Sequence, residues 1–483
     1  MGVLSNLEPK SVFHYFEEIT KIPHGSGNVE QISNYLVNFA KERGLFCIQD
    51  ALKNVIIVKE ATPGYEKEPA VILQGHMDMV AVKEPGCPLD MKTEGLKAAI
   101  DGEEIYAEGT SLGGDDGIAV AYSLALLDSD TIKHPKLEVI ITVDEEVGMD
   151  GARAIDLSML TGNRMINLDS EEEGIFLTSC AGGARVECLV PLRTGVQQGL
   201  EAKVKIGGLL GGHSGGEIHK ERGNANVLLG RLLCRISGEC QVGIVAMQGG
   251  LADNAIPREA EATLVVAEED KDKLDSIVKK VEQELQGELA SKDAGVFIQA
   301  AYENVGSYEA VTAEDTKKAA AFLISLPGGV QGMSAELPGL VETSLNLGVM
   351  SCKAGTLSAE FSVRSSVESA KYALIDRLQG LTLLAGGTNR ITGDYPGWKY
   401  RKDSPLRDKM VRLYEKMYGV APKVEAIHAG LECGILGSKI ADLDCVSMGP
   451  DMTAIHTTEE TLNIPSTRRV WEYLVALLEE KEA

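Results

Sequence analysis

Nowhere does the sequence run to the ~20 consecutive apolar residues that a membrane span requires, so no transmembrane helix is expected. Its first residues, MGVLSNLEPK, carry no apolar h-region, which argues against a secretory signal. Asn6 stands where a myristoylation motif wants Ser or Thr. The nine cysteines form no CxxC pair and show no regular spacing, so neither a disulfide framework nor a thiolate zinc site is expected. Basic charge is also short. Lys+Arg 47 against Asp+Glu 72 gives a net charge of −25, which argues against general binding to nucleic acid or to anionic membranes. These absences together suggest a soluble, cytoplasmic protein with reduced thiols.

What remains is ample for a large globular core. The chain has 483 residues, 44% of them apolar and 25% charged, enough for two or three domains. Two amphipathic helices are expected between residues 9 and 43, strands at 54–60 and 70–75, a helix at 116–129, and strands at 137–144 and 163–169. Strands alternating with helices predict an α/β layer with a largely parallel sheet. After about residue 185 the pattern becomes β-α-β-β-α-β, the split ferredoxin-like order, with helices at 224–236 and 269–288. A second, partial round follows, with helices at 313–325 and 367–380. From about 394 the α/β texture returns. The fold class expected is therefore α/β. A sheet domain of residues 1–185 plus 393–483, with helices on both faces, is interrupted at 186–392 by an α+β lid of two ferredoxin-like halves.

The chemistry concentrates where strands end. VILQGHMDMV places His76 and Asp78 just past an aliphatic run, at the carboxyl edge where open α/β sheets bind ligands. SLGGDDG offers Asp115 and Asp116 directly before a helix, VIITVDEEVG offers Asp144, Glu145 and Glu146, MINLD ends at Asp169, and His456 follows SMGPDMTAI. Each has an ordinary explanation, since Asp115 and Asp116 could simply cap the helix and DEE could be a solvated turn. Taken together, they form an imidazole and carboxylate set without thiolate. Such a set suits Zn²⁺ or Mn²⁺, and a spare carboxylate can bridge two ions. His76 then reads as a ligand, with Asp78 orienting its ring.

The motifs GHMDMV, SLGGDDGIAVA, TVDEEVGMDGA, NLDSEE, GGHSGG, DNAIP, HAGLECG and the late His occur in order over residues 74–456. In this they resemble the di-zinc metallopeptidase superfamily that includes aminoacylase and peptidase T. The resemblance is closest to its aminoacyl-histidine (Xaa-His, carnosinase-like) dipeptidase branch. It implies a zinc-peptidase-type sheet domain and two divalent ions, zinc foremost, with manganese or cobalt as alternatives. His76 and Asp169 would hold one ion, Glu146 and His456 the other, and Asp115 would bridge them. Asp78 would orient His76, and Glu145 would be the general base. Residue chemistry alone does not distinguish Glu145 from Glu146. From the lid, His213 would donate to the scissile carbonyl oxygen. Asn254 and Arg364 would contact substrate, the Arg364 guanidinium donating bidentately to the substrate's carboxylate, and Gly430 and Glu432 would line the same pocket. The implied activity is metal-dependent hydrolysis of dipeptides, Xaa-His types such as β-Ala-His included.

Three other readings compete. An N-acyl amino acid deacylase would use the same metal ligands. Gly212-His213-Ser214-Gly215-Gly216 satisfies G-x-S-x-G and offers Ser214 as a serine-hydrolase nucleophile, although it falls in the inserted module. A scaffold protein that kept the fold would have no use for the spare base Glu145. The partners expected are small dipeptides, with neither nucleic acid nor membrane. A monomer or a homodimer fits, and the doubled lid favours His213 acting within its own chain.

Overall fold

The computed structural model describes residues 2–481. By internal contacts the chain divides into two units. The first runs up to Ser179 and includes Tyr400–Ala426 and the residues from Leu431 on; the second is Cys180–Lys399 with Ile427–Gly430.

The first unit is built on an eight-stranded sheet. Its spatial order is Phe46–Gln49, Val55–Lys59, Leu137–Thr142, Val71–His76, Arg164–Asn167, Asp444–Ser447, Ile175–Cys180 and Lys423–Ile427. Val71–His76 pairs in parallel with Leu137–Thr142 and with Arg164–Asn167, which in turn pairs in parallel with Asp444–Ser447. The outer pairs Phe46–Gln49/Val55–Lys59, Val55–Lys59/Leu137–Thr142 and Asp444–Ser447/Ile175–Cys180 are antiparallel. The largely parallel sheet expected from sequence is thus parallel only at its centre. Phe46–Gln49 and Val55–Lys59 are joined by a short turn, which can make an antiparallel pair but not a parallel crossover.

The central strands are aliphatic because both faces are covered. LEVIIT at 137–142 is buried throughout, and VILQGH at 71–76 is buried after its first residue. Successive strand residues point to opposite faces. A Cβ on Gly75 would meet Ala119 on helix Gly114–Asp128, whereas Gln74 bonds Glu432 at the head of helix Glu432–Lys439. Helices therefore cover both faces. A small sheet of Ala98–Asp101, Glu104–Ala107, Thr461–Asn463 and Met452–Thr453, absent from the expectation, carries the turn that holds His456.

The second unit contains one continuous nine-stranded sheet. Four strands lie in the order Phe297–Val311, Thr194–Gly207, Ala260–Val266, Val242–Gly249, and four more follow as Val341–Lys353, Thr356–Ser365, Gly182–Pro191, Thr388–Tyr395; the ninth, Gly329–Met333, pairs with Val341–Lys353 alone. Each set, with its two helices, is one β-α-β-β-α-β module. The halves are nested rather than successive: the first strand of the second half is Gly182–Pro191, and the whole first half is inserted between that strand and helix Ala313–Ser325. The second half looked partial in sequence because its opening strand lies far upstream. At the insertion point the chain ends meet, with Thr312 N–H donating to Arg193 O at 2.9 Å. Leu200, Val204, Leu229, Leu264, Leu345, Phe361 and Leu378 belong to one apolar core shared by both halves.

Candidate metal centre

Parallel strands share a carboxyl edge, and this places the acidic and imidazole groups of the first unit. His76 is the last residue of its strand, Glu145 and Glu146 follow Leu137–Thr142, and Asp169 follows Arg164–Asn167. Asp115 opens helix Gly114–Asp128, across a cis Asp115–Asp116 peptide. His456, at φ 63°, sits in the turn between Met452–Thr453 and Thr461–Asn463.

The Asp115 carboxylate lies between the two imidazoles. Its Oδ1 is 3.2 Å from His76 Nε2 and its Oδ2 is 3.1 Å from His456 Nε2. Asp169 Oδ1 is 3.7 Å from His76 Nε2, and Glu146 Oε1 is 2.9 Å from His456 Nε2. Ligand-type atoms approach within 4.8 Å of one another in three overlapping groups: His76 with Asp116 and Asp169, His76 with Glu145 and Glu146, and Asp115 with Glu146 and His456. The five expected ligands are thus brought together, with Glu145 beside them. On its other side, His76 Nδ1 is 2.9 Å from the carbonyl oxygen of Asp78 and 3.5 Å from its Oδ1. A carbonyl only accepts, so Nδ1 carries a proton and donates it there, which turns Nε2 toward Asp115 and Asp169 as the atom that would bind an ion. Asp78 is itself fixed by Ser26 Oγ at 2.8 Å and by the N–H of Glu145 at 3.1 Å.

Charge here is out of balance. Burial raises Asp116 and Asp169 well above the usual carboxylate range. Burial pushes Glu145 up to about 8, with Glu432, Glu146 and Asp115 adding to the rise and His76 opposing it. Asp115 is also buried, yet hydrogen bonds from His456 and His76 hold it below the usual range. Those bonds in return lift His456 to about 10, with Asp115 leading and Glu146 next. Five carboxylates face two imidazoles, and Asp116 Oδ1 is buried with no partner among the described residues. An all-N/O donor set in which carboxylates outnumber imidazoles fits a pair of divalent cations.

Three residues around this cluster were left without a role, misplaced or overlooked in the sequence reading. Asp116 was offered with Asp115 as a ligand or a cap and then given no role; its Oδ2 accepts the backbone N–H of His76 at 3.1 Å. Glu432, expected to line the substrate pocket, is fully buried: its Oε2 accepts from Gln74 Nε2 at 2.6 Å and Thr142 Oγ1 at 2.5 Å, and burial takes it to about 7. It supports the strands that carry the ligands. Glu460 was overlooked, although it lies four residues after His456 in a run of polar residues.

The remaining expected residues lie in the second unit. His213 belongs to the short strand Gly212–His213, paired with Ala255–Ile256 beside Asn254. Its Nδ1 accepts N–H groups from Gly215 at 3.3 Å and Gly216 at 3.1 Å, leaving Nε2–H as a donor. Burial and then Arg364 lower its pKa, keeping the ring neutral. A Cβ on Gly215 would come 2.5 Å from His428 O, so the glycine is required there. Arg364 stands opposite Ser344 in register, and its buried Nε has no partner among the described residues. His428, next to Ala429 and Gly430, bonds Ser344 Oγ at 2.7 Å and is lowered to about 4 by burial and Arg364. Asn254 is exposed, and its carbonyl accepts the Ser214 N–H at 2.8 Å. Ser214 Oγ is buried without a hydrogen-bond partner among the described residues, and its loop joins no parallel strand to a helix. The nucleophile-elbow reading is therefore set aside.

Comparison with known proteins follows the same line. The model of peptidase family M20/M25/M40 matches residues 72–480. The cytosol non-specific dipeptidase of Escherichia coli is 38% identical over 483 residues, covering 99% of each chain. The crystal structure of aminoacylhistidine dipeptidase from Vibrio alginolyticus superposes with a TM-score of 0.94 at 36% identity, covering 99% of each chain. The aminopeptidase PepT of Bacillus cereus shares the fold, with a TM-score of 0.55 at 16% identity over 98% of each chain.

Proposed function

The chain belongs to peptidase family M20/M25/M40, and from that premise we propose that it is a cytoplasmic di-metal dipeptidase, using zinc foremost, whose substrates include Xaa-His dipeptides. The observation that carries this reading is Asp115, with one carboxylate oxygen near each of two histidines that have their own acidic partners. His76 and Asp169 would hold one ion and Glu146 and His456 the other, bridged by Asp115. Two ions held there would supply Lewis acidity to the scissile carbonyl and to the attacking water, beside Glu145 as the base.

The chain's own residues account for the rest. Glu145 takes the water's proton and later gives it to the leaving nitrogen; its backbone N–H, bonded to Asp78, ties the base to the same carboxylate that orients His76. His213 is assigned to the carbonyl oxygen and Arg364 to the substrate carboxylate. Both roles rest on the family resemblance, supported by the neutral Nε2–H tautomer of His213 and the unpaired Nε of Arg364. Nine free cysteines and a cytosolic relative support the compartment.

The test is a dipeptide panel that includes β-Ala-His and Gly-His, run on metal-stripped protein and on protein reloaded with Zn²⁺ or Mn²⁺. Cleavage should vanish on stripping and return on reloading. Undiminished cleavage by stripped protein would refute the proposal.

A further inference from the structure

Helix Gly114–Asp128 begins without a local cap. Gly113, at φ 70°, stands at its start and has no side chain to offer. Asp115 (φ −81°, ψ 107°) and Asp116 (φ −116°, ψ 33°) are not helical, so the regular turns begin beyond them and the N–H groups of Leu112–Asp115 belong to a loop that needs another acceptor. Neither aspartate carboxylate takes them. The acceptor is Glu460, more than three hundred residues downstream. Its Oε2 takes the N–H groups of Leu112 at 2.8 Å and Gly113 at 3.1 Å, and its Oε1 those of Gly114 at 2.8 Å and Asp115 at 3.3 Å. The carboxyl group is almost wholly buried, and the loop closes tightly over it: a Cβ on Gly114 would lie 3.3 Å from Glu460 Oε1.

We propose that Glu460 is the positioning residue for the bridging ligand. By accepting the N–H groups of the Leu112–Asp115 loop, it fixes the backbone from which the Asp115 carboxylate faces both histidines. The inference deepens the di-metal reading and rests on it. A carboxylate engaged with backbone N–H groups cannot at the same time span two cations, so the two jobs fall to two residues. Glu460 also sits at the foot of the turn that carries His456, immediately before strand Thr461–Asn463. One short segment therefore supplies a ligand to the second ion and fixes the backbone of the carboxylate shared with the first. Without Glu460, four N–H groups beside the bridging carboxylate lose their acceptor.

The test compares Glu460→Gln with wild type, using Co²⁺ as the probe. Gln keeps the shape but sets an NH₂ group against backbone donors. Wild type should bind two Co²⁺ per chain with a magnetically coupled electron paramagnetic resonance signal. Glu460→Gln should bind the second ion at least about ten-fold more weakly, show uncoupled Co²⁺, and lose kcat by about 10–100-fold, with KM changed by less than about three-fold. Glu459→Gln, at an exposed neighbour, should match wild type on every measure. Should Glu460→Gln fail to fold, Glu460→Asp keeps the charge with a shorter reach and should show an intermediate loss of coupling. Coupled ions of wild-type affinity in a folded Glu460 variant would overturn this inference alone. A wild-type chain that takes up no ion pair would overturn the dipeptidase reading, and this inference with it.

Discussion

Stripped of metal, the protein should lose stability as pH rises from 6 to 8, and the acid cluster allows the size of the loss to be worked out. Glu145 is held at about 8 when folded, against 4.5 in the unfolded chain. Between those values the folded state binds a proton that the unfolded state has released, so stability falls with rising pH by about 1.4 kcal/mol per unit. Over pH 6–8 this amounts to about 2–3 kcal/mol. Glu432, at about 7 against 4.5, adds about 1 kcal/mol between pH 6 and 7. His456, raised to about 10, acts in the same direction, because its stabilising charge is complete below its unfolded value of 6.5 and is lost above it. Its ring is half-exposed, so solvent screening makes the contribution small. The sum is about 3–4 kcal/mol, or a fall of roughly 6–16 °C in Tm for a unit of this size. Bound cations would neutralise the same carboxylates and flatten the dependence. Calorimetry at pH 6, 7 and 8, with chelator and with Zn²⁺, gives the two slopes, and Glu145→Gln should remove most of the chelated one. A metal-free Tm that stays level or climbs between pH 6 and 8 would refute the reasoning.

Three further outcomes are expected. Glu145→Gln should lower kcat by about 10²–10⁴-fold while retaining two metal ions per chain by elemental analysis, because it removes the proton carrier and no ligand. Gly75→Ala sets a Cβ 2.5 Å from both Ala119 Cβ and Asp116 Oδ2, so thermal melts should show a loss of about 1–3 kcal/mol and titrations a weaker hold on metal. Arg364→Met should raise KM for dipeptides by about 10–100-fold, the worth of a charge-assisted pair at ~1.5–3 kcal/mol, with a smaller effect on kcat in steady-state assays.

The fold class was legible because aliphatic runs such as VILQG and LEVIIT can be buried on both faces only in a covered sheet. The placing of His76, Glu146 and Asp169 was legible because strand ends are visible as the point where such a run stops, whereas Asp115 and His456 were joined to them only by the motifs shared with the resembled family. What escaped the sequence depends on pairing between distant segments. Gly182–Pro191 belongs to a module whose other pieces begin more than a hundred residues later, and no local periodicity marks such a partner. Glu460 looks like one more acid in a polar turn, and only the unpaired amides of the distant Leu112–Asp115 loop give it a task. Glu432 was read as pocket lining because HAGLECG borders the ligand motifs, whereas its carboxylate is turned inward to Gln74 and Thr142.

The junction at Arg193 and Thr312 has a practical consequence. Because the two positions are already hydrogen-bonded neighbours, a single splice could excise everything between them and leave Gly182–Pro191 running straight into helix Ala313–Ser325. The shortened chain would retain a complete four-stranded module, with the edge of Val341–Lys353 that had paired with Val242–Gly249 laid open. The molecule thus carries a natural grafting point, at which the inner module can be exchanged for another whose ends lie one hydrogen bond apart.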